Sequence, residues 1–352
     1  MKNSSSSIKQ IIQDAKKGKM FILVDNKDRE NEGDLVVPAS KINHEKINFM
    51  AKHGRGLICL ALTSQKVKKL KLPLMSLINK SRTQTAFTVS IESKKGISTG
   101  ISAFDRAKTI KVAIKPSSTN KDIVSPGHVF PLVAKNGGVL ERAGHTEASI
   151  DISKLANLNP SSVICEVMNE DGTMARYKDL IPFSKKHNLK IAKIEDLISY
   201  RLKNERLIKF VMKRKIKLNK FGTLDLKIFK NKLDESESYA ITKGKFSYKK
   251  PSRVRVISAN ILNNYLNFNN NIFKNSLNYL NRFNNFALIL VKNSNQNQNS
   301  SDDNKILRYY GVGAQIIKEL KIKNMILVSR SKKRVIALKG YGIQITKQEI
   351  IK

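Results

Sequence analysis

The apolar runs of this chain are short. Runs such as "MFILV" (Met20–Val24) and "FALILV" (Phe286–Val291) fall far below the roughly 18 residues that would suggest a membrane span. Runs of this length with polar flanks read as buried strands. Soon after the first comes "DRENEGD" (Asp28–Asp34), and "LVVPAS" then resumes the apolar pattern. Four acids therefore crowd between two buried elements, in a chain with 66 Lys and Arg against 28 Asp and Glu. A charged run is ordinarily a solvated turn. Here the apolar flanks, and a Gly33 that allows close backbone approach, suit a site for a phosphorylated or metal-bound substrate.

At 352 residues the chain can hold two domains, each with its own core. Its opening, "MKNSSSSIKQIIQDAKKGK", has no apolar segment of the signal-peptide kind. Two cysteines, Cys59 and Cys165, cannot build a disulfide framework. A cytoplasmic enzyme or binding protein with no membrane partner is expected. The net charge of +38 invites a nucleic-acid reading. The excess is mostly dispersed Lys accompanying heavy Ile and Asn usage, as an A/T-rich coding sequence produces. No zinc-finger spacing, RNP-type strand or KH-type clamp stands out, so no nucleic-acid partner is expected.

All five histidines and both cysteines precede residue 204, while residues 205–352 carry 31 of the 66 basic residues and 9 of the 28 acidic ones. The boundary is placed there, giving domains 1–204 and 205–352. "KIEDLISYRLKNERLIKFVMKRK" (Lys193–Lys215) reads as a joining helix. The second half is Asn-rich, and "NSNQNQNSSDDN" (Asn293–Asn304) reads as a flexible loop. The chemistry belongs to the first half.

Further stretches there stand out. "GRGLICLAL" (Gly54–Leu62) reads as a buried strand carrying Cys59, and "QTAFTVSIE" (Gln84–Glu92) as an alternating strand presenting Thr85 and Thr88. "SPGHVFPL" (Ser125–Leu132) sets His128 after a Pro-Gly turn. In "GGVLERAGHTEASID" (Gly137–Asp151) a loop leads into a helix start, where Thr146 can cap and free N–H groups can take a phosphate. Arg142, Ala143, Gly144, His145 and Thr146 form the candidate cradle. "ICEVMNEDGTMAR" (Ile164–Arg176) reads as a strand with Glu166 in its middle, ending in an Asp-Gly turn. A carboxylate in an apolar strand is costly unless paired or poised for proton transfer, whereas a lone histidine is ordinarily a satisfied core group.

Taken together, "DRENEGD", "TAFTVSI", "GISAFDRAKTI", "PGHVFPL", "RAGHTEASIDI" and "CEVMNEDGTMAR" resemble 3,4-dihydroxy-2-butanone 4-phosphate synthase, which acts on ribulose 5-phosphate in riboflavin synthesis. The resemblance spans about residues 8–204, with the motifs in family order. It implies an α/β fold with a mixed sheet covered by helices, and a homodimer. It implies Glu30 and His145 as ligands of Mg²⁺ or Mn²⁺, and Arg29, Glu30, Asp34, Glu166 and the stretch Arg142–Thr146 as substrate-binding. His128 and Glu166 match the pair regarded as catalytic, and Cys59 matches a cysteine lining the site. The reaction enolises, dehydrates and rearranges ribulose 5-phosphate and expels formate. Each step moves protons between neighbouring atoms, work suited to carboxylates and imidazoles, and a divalent metal offsets charge on neighbouring oxygens. No organic cofactor is implied. One departure is visible: Ser125 precedes Pro-Gly-His where many relatives have Arg.

Residues 205–352 resemble GTP cyclohydrolase II, a smaller α/β domain, most closely over Leu307–Ile343. That enzyme holds a catalytic zinc on three cysteines, and this half contains neither Cys nor His. Asn260 stands at the first cysteine position, and "LVKNSNQNQ" (Leu290–Gln298) replaces the GTP-site stretch. A degenerate, zinc-free domain is expected. The rivals are a bifunctional enzyme that also opens GTP and, from another class, a basic RNA-binding protein.

Overall fold

Ser7 starts the first helix with a capping box: its hydroxyl accepts from Gln10 N–H, and the Gln10 side chain accepts from Ser7 N–H. The helix it starts buries Ile8, Ile11, Ile12 and Ala15 along one face. The structure, a computed structural model, describes residues 5–26, 29–76, 78–80, 83, 85–218, 220–232, 235–247, 250–259, 271–292, 303–331 and 342–351. It divides into two compact units, Met1–Ile198 and Ser199–Lys352.

The first unit contains α1 (Ile8–Lys16), β1 (Phe21–Val24), β2 (Gly33–Pro38), α2 (His44–Phe49), β3 (Cys59–Thr63), α3 (Ser64–Lys69), β4 (Ile91–Ser93) and α4 (Ala103–Ile114). β5 (Ile123–Ala134), α5 (His145–Leu155), β6 (Ser161–Glu166), α6 (Tyr177–Lys186), β7 (Lys190–Lys193) and the start of α7 (Ile194–Asn204) follow. The strands form one mixed sheet of seven, ordered β4-β5-β3-β6-β2-β1-β7. Side-chain alternation divides its faces. Ile22, Leu35, Leu60, Val163 and Cys165 point into a core closed by Ile47 of α2, Ile110 of α4 and Leu180 of α6. α5 packs on the opposite face against β1, β2, β3, β5 and β6, and α1 joins it there.

Two strand expectations need correction. Among the described residues of the stretch 84–92, only Ile91 and Glu92 belong to a strand, β4; Phe87 and Thr88 make single bridges to Leu132 and Leu74. Pro131 of β5 lies opposite this segment and has no N–H to continue a ladder, although its carbonyl accepts from Thr88. Glu166 is the last residue of β6, not its middle.

The second unit continues with β8 (Ile208–Leu218), β9 (Gly222–Asn231), β10 (Glu237–Lys243), β11 (Ser252–Ala259), α8 (Asn271–Leu280), β12 (Phe286–Lys292), α9 (Asp303–Glu319), β13 (Asn324–Ser329) and β14 (Gln344–Ile350). Its sheet of seven runs β14-β13-β11-β12-β10-β9-β8, antiparallel from β8 to β12 and parallel from β12 to β14. Both units are thus α/β with mixed sheets. Ile316, Ile317 and Leu320 share the buried face of α9, as their spacing requires, over Met325 and Leu327 of β13.

The expected helix over 193–215 stops at Asn204 and gives way to β8. The cause is distant in sequence. Gln315 of α9 donates to the carbonyls of Leu202 and Glu205 and accepts from Leu207 N–H, so one buried amide satisfies the helix end. Asn260 and residues 293–302, on which the GTP-site comparison rests, lie outside the described residues, and so does most of the expected flexible loop; Asp303 already belongs to α9.

Candidate active site

Strand register builds one row across the sheet. Leu23 of β1 pairs with Asp34 of β2, and Asp34 pairs with Glu166 of β6. Paired residues share a face, so both carboxyls emerge on the α5 side. Glu166 Oε2 accepts a 2.8 Å bond from Leu57 N–H, just before β3. Gly56 makes this possible: a Cβ there would come 2.6 Å from Glu166 Oε2 and 2.5 Å from its carbonyl oxygen. Burial raises the pKa of Glu166 and holds Asp34 well above the usual carboxylate range, with the Glu166 charge adding to the effect on Asp34.

The acid-rich loop is tied from two sides. Buried Asp25 accepts from Arg29 Nη1 at 2.8 Å, Glu30 N–H at 3.2 Å and Glu32 N–H at 2.9 Å. Arg29 also pairs with the Glu30 carboxylate. From the far end of the first unit, Arg176 Nη1 donates to the carbonyls of Glu30 and Asn31 at 2.7 and 2.8 Å. The opening "DRENEGD" is thus a structured loop, with Asp28 outside the described residues.

His145 enters the same space as the first residue of α5. Its Nδ1 lies 3.9 Å from Glu30 Oε2 and 3.8 Å from Asp34 Oδ1, beyond hydrogen-bond range. Its buried Nε2 has no hydrogen-bond partner among the described residues. Burial lowers its pKa and favours the neutral, ligating imidazole. Ligand atoms of Asp25, Glu30 and His145 lie within 4.8 Å of one another. Two carboxylates and an imidazole, with a ring nitrogen left unpaired, fit a divalent cation that prefers oxygen ligands.

Gly144, not Thr146, occupies the N-cap of α5, and it supplies no side-chain cap. Thr146 falls inside the first turn because Gly144 already accepts from Ala148 N–H. Among the described residues no bond occupies the N–H groups of His145, Thr146 and Glu147, so this helix end is open to an anion. Arg142 stands beside it, bonded to Glu147, Thr85 and the Thr83 carbonyl. Ala143 links the two.

His128 lies elsewhere in the row. Phe130 of β5 and Ile164 of β6 both pair with Cys59 of β3, which places His128 and Glu166 on one face two strands apart, about 10 Å. Its half-exposed ring bonds Glu92 through Nδ1. Cys59 is buried, and that burial raises its thiol pKa, so it stays protonated. Ser125, in place of the Arg of many relatives, bonds the Ser90 carbonyl at 2.7 Å.

Comparison with known proteins places this arrangement. The pattern of the 3,4-dihydroxy-2-butanone 4-phosphate synthase family matches residues 9–200, and that of GTP cyclohydrolase II matches residues 274–349. Riboflavin biosynthesis protein RibBA of Aquifex aeolicus is 40% identical over 99% of this chain and 92% of its own length. The chain belongs to the 3,4-dihydroxy-2-butanone 4-phosphate synthase family. A two-domain synthase of that family from A. baumannii, described as RibBX, shares 38% identity and superposes with a TM-score of 0.84, covering 99% of each chain. A synthase solved with two magnesium ions is 36% identical with a TM-score of 0.54, covering 56% of this chain and 98% of its own. The chain is therefore an enzyme of riboflavin biosynthesis, a lyase, with a C-terminal region similar to GTP cyclohydrolase II.

Sequence reasoning missed three residues that the fold brings to this cluster. Asp25 ends the first apolar run and was visible as an acid at a strand terminus. Arg176 closes "CEVMNEDGTMAR", but its target loop lies 145 residues away, and nothing local announces that. Glu147 follows the cradle directly, yet its partners are set by tertiary folding. Among the described residues no helix is long and apolar enough to cross a membrane.

Proposed function

We propose that this protein converts D-ribulose 5-phosphate to L-3,4-dihydroxy-2-butanone 4-phosphate and formate in the cytoplasm, and that residues 205–352 open no GTP. The observation that carries the first half of this reading is the convergence of Glu30, His145 and Asp25 beside the open N-terminus of α5, within the stretch that the synthase pattern matches.

In this reading the α5 N–H groups, Thr146 and Arg142 take the substrate phosphate, while Arg29 and Asp34 hold its polyol end. Glu30 and His145 hold Mg²⁺ or Mn²⁺, with Asp25 beside them; magnesium accompanies a solved relative. A bound divalent cation supplies positive charge where oxygens of the substrate gain negative charge. Glu166, its pKa raised by burial, takes and returns protons on substrate carbon or oxygen near neutral pH. Burial and the neighbouring Glu166 charge favour the protonated form of Asp34 beside it. His128, oriented by Glu92, serves a second proton transfer. A homodimer suits the exposed Val124 of β5 and the exposed Leu74 and Met75, which bond to the 87–88 stretch beside β5. No nucleic acid takes part.

The second half of the reading rests on composition. A catalytic zinc needs about three thiolate, imidazole or carboxylate ligands. Residues 205–352 hold no Cys or His, and among the described residues the site above is the one such cluster.

The test is formate release from ribulose 5-phosphate with Mg²⁺, together with zinc content and GTP consumption of the full-length protein. Formate with neither zinc nor GTP loss is expected. Opening of GTP to formate and a pyrimidine product would establish the bifunctional alternative; inactivity on ribulose 5-phosphate with MgCl₂ present would end the reading.

A further inference from the structure

Arg142 is not a free cation. Nη1 donates to Glu147 Oε2 at 2.7 Å, and Nη2 donates to Thr85 Oγ1 at 2.8 Å and to the Thr83 carbonyl at 3.1 Å. A guanidinium has five N–H donors, and among the described residues three of them are engaged. The Glu147 side chain is 1% exposed, and its other oxygen accepts from Lys135 N–H at 3.1 Å. A carboxylate this deep is retained only with full partners.

Gly144 shows that the pair is built around the helix start. A Cβ on Gly144 would come 2.5 Å from Arg142 Nη1 and 2.8 Å from Glu147 Oε2. Its φ of −114° suits any residue, so space, not backbone conformation, demands glycine here. The ion pair therefore crosses directly over the N-cap of α5, beside the N–H groups that no bond occupies. Arg142 also spans to Thr83 and Thr85, tying both to the same helix end.

We propose that Glu147 is a positioning residue for the substrate phosphate, with Thr85 as its second support. Glu147 clamps one edge of the Arg142 guanidinium so that the guanidinium and the α5 N–H groups converge on a single anion. The clamp also limits net positive charge at the site, so that affinity comes from geometry more than from charge alone. A long, flexible Arg held in one rotamer before binding loses less entropy on binding.

This inference rests on the phosphate assignment above, and its test separates the two. Glu147→Gln keeps size and an acceptor for Lys135 but removes the charge. Full-length wild type, Glu147→Gln and Thr85→Val are compared by calorimetry with inorganic phosphate, by KM and kcat for ribulose 5-phosphate, and by thermal melting. Glu147→Gln is expected to weaken phosphate binding about tenfold and to raise KM by a larger factor than it lowers kcat; Thr85→Val moves both in the same direction by about threefold. Unchanged phosphate affinity in a folded Glu147→Gln protein overturns the proposal. Should that variant not fold, unchanged affinity in Thr85→Val does so. A wild type that binds phosphate but releases no formate counts against the synthase reading alone.

Discussion

In the first unit, Asp34 and Glu166 face each other across paired strands with raised pKa values, and the Nε2 of His145 is buried with no partner among the described residues. In the second unit, Arg253 donates from Nε and Nη2 to Glu349 at 2.9 and 3.1 Å, and the Tyr279 hydroxyl donates to the same carboxylate at 2.9 Å. Phe283 covers that guanidinium, its ring centroid 3.5 Å from Cζ. Both groups of polar side chains sit on a seven-stranded sheet. One leaves hydrogen-bonding capacity open at a strand end, and the other closes it internally. Unpaired buried polar groups lower stability; at His145 the unpaired nitrogen lies beside carboxylates that could share a cation with it, whereas Ser252 Oγ of β11, also buried without a partner among the described residues, has no such cluster around it. The Arg253–Glu349–Tyr279 network meets its hydrogen bonds internally and holds β11, β14 and α8 together.

The sharpest way to break this contrast is at the open cluster. Glu30→Gln or His145→Ala should lower formate release by about 10³-fold or more, with circular dichroism unchanged, while Glu349→Gln should leave release within about twofold. Comparable losses from both groups would erase the distinction. Glu166→Gln and His128→Asn follow, each expected to lower kcat by about 10² to 10⁴ while calorimetry still detects ribulose 5-phosphate binding. Near-normal turnover by either variant would remove its residue from the mechanism.

In the second unit the expected losses are of stability. Ile316→Ala empties a fully buried position and should cost about 2–5 kcal/mol in urea unfolding; Glu349→Gln, which strips the charge from a bonded pair, should cost about 1–3 kcal/mol. A chain ending at Asn204 loses Gln315 from the end of α7 and uncovers Leu202, which meets α9 at Gly311. It should still release formate with a melting temperature a few degrees lower. A folded but inactive truncation would show that the second unit supports the first chemically.

The smallest effect concerns pH. His53 and His187 lie tilted at 49° with ring centroids 4.6 Å apart, between Phe49 and Phe183. Burial is the main cause that lowers both pKa values. Lys52, Lys186 and Arg55 add to it at His53, and His53 and Lys186 at His187. The unfolded chain therefore protonates first. The stability these rings contribute is present above their unfolded pKa of about 6.5 and is lost as pH falls below it. Melting temperatures of His187→Phe should fall less between pH 7 and pH 5 than those of wild type; parallel curves would exclude the pair as the cause.

Much of this was legible locally. The α9 face of Ile316, Ile317 and Leu320 follows from helical spacing, and the strands Phe21–Val24 and Cys59–Thr63 follow from short apolar runs. The grouping of Glu30, His145 and Glu166 came from motif resemblance, not from spacing. Where local reading failed, a distant residue had intervened. Gln315 ended a helix that its own periodicity would have continued. Pro131 withheld the N–H that a strand over 84–92 needed. Gly144 displaced Thr146 from the cap because the Arg142–Glu147 pair needed the room.

The sequence alone determined that the chemistry-bearing side chains precede residue 204 and that no thiolate or imidazole follows it, since composition does not depend on folding. It also determined those elements, such as β1 and α9, whose apolar run or helical period no distant residue interrupts. Only the tertiary structure decided that Asp34 stands opposite Glu166, that Asp25 and Arg176 grip the Glu30 loop from both sides, and that Arg142 reaches its helix end already paired. Each of these depends on strand register or on contacts between residues far apart in the chain. Burial then sets the charge of each group, and burial exists only once the sheet and its helices have closed.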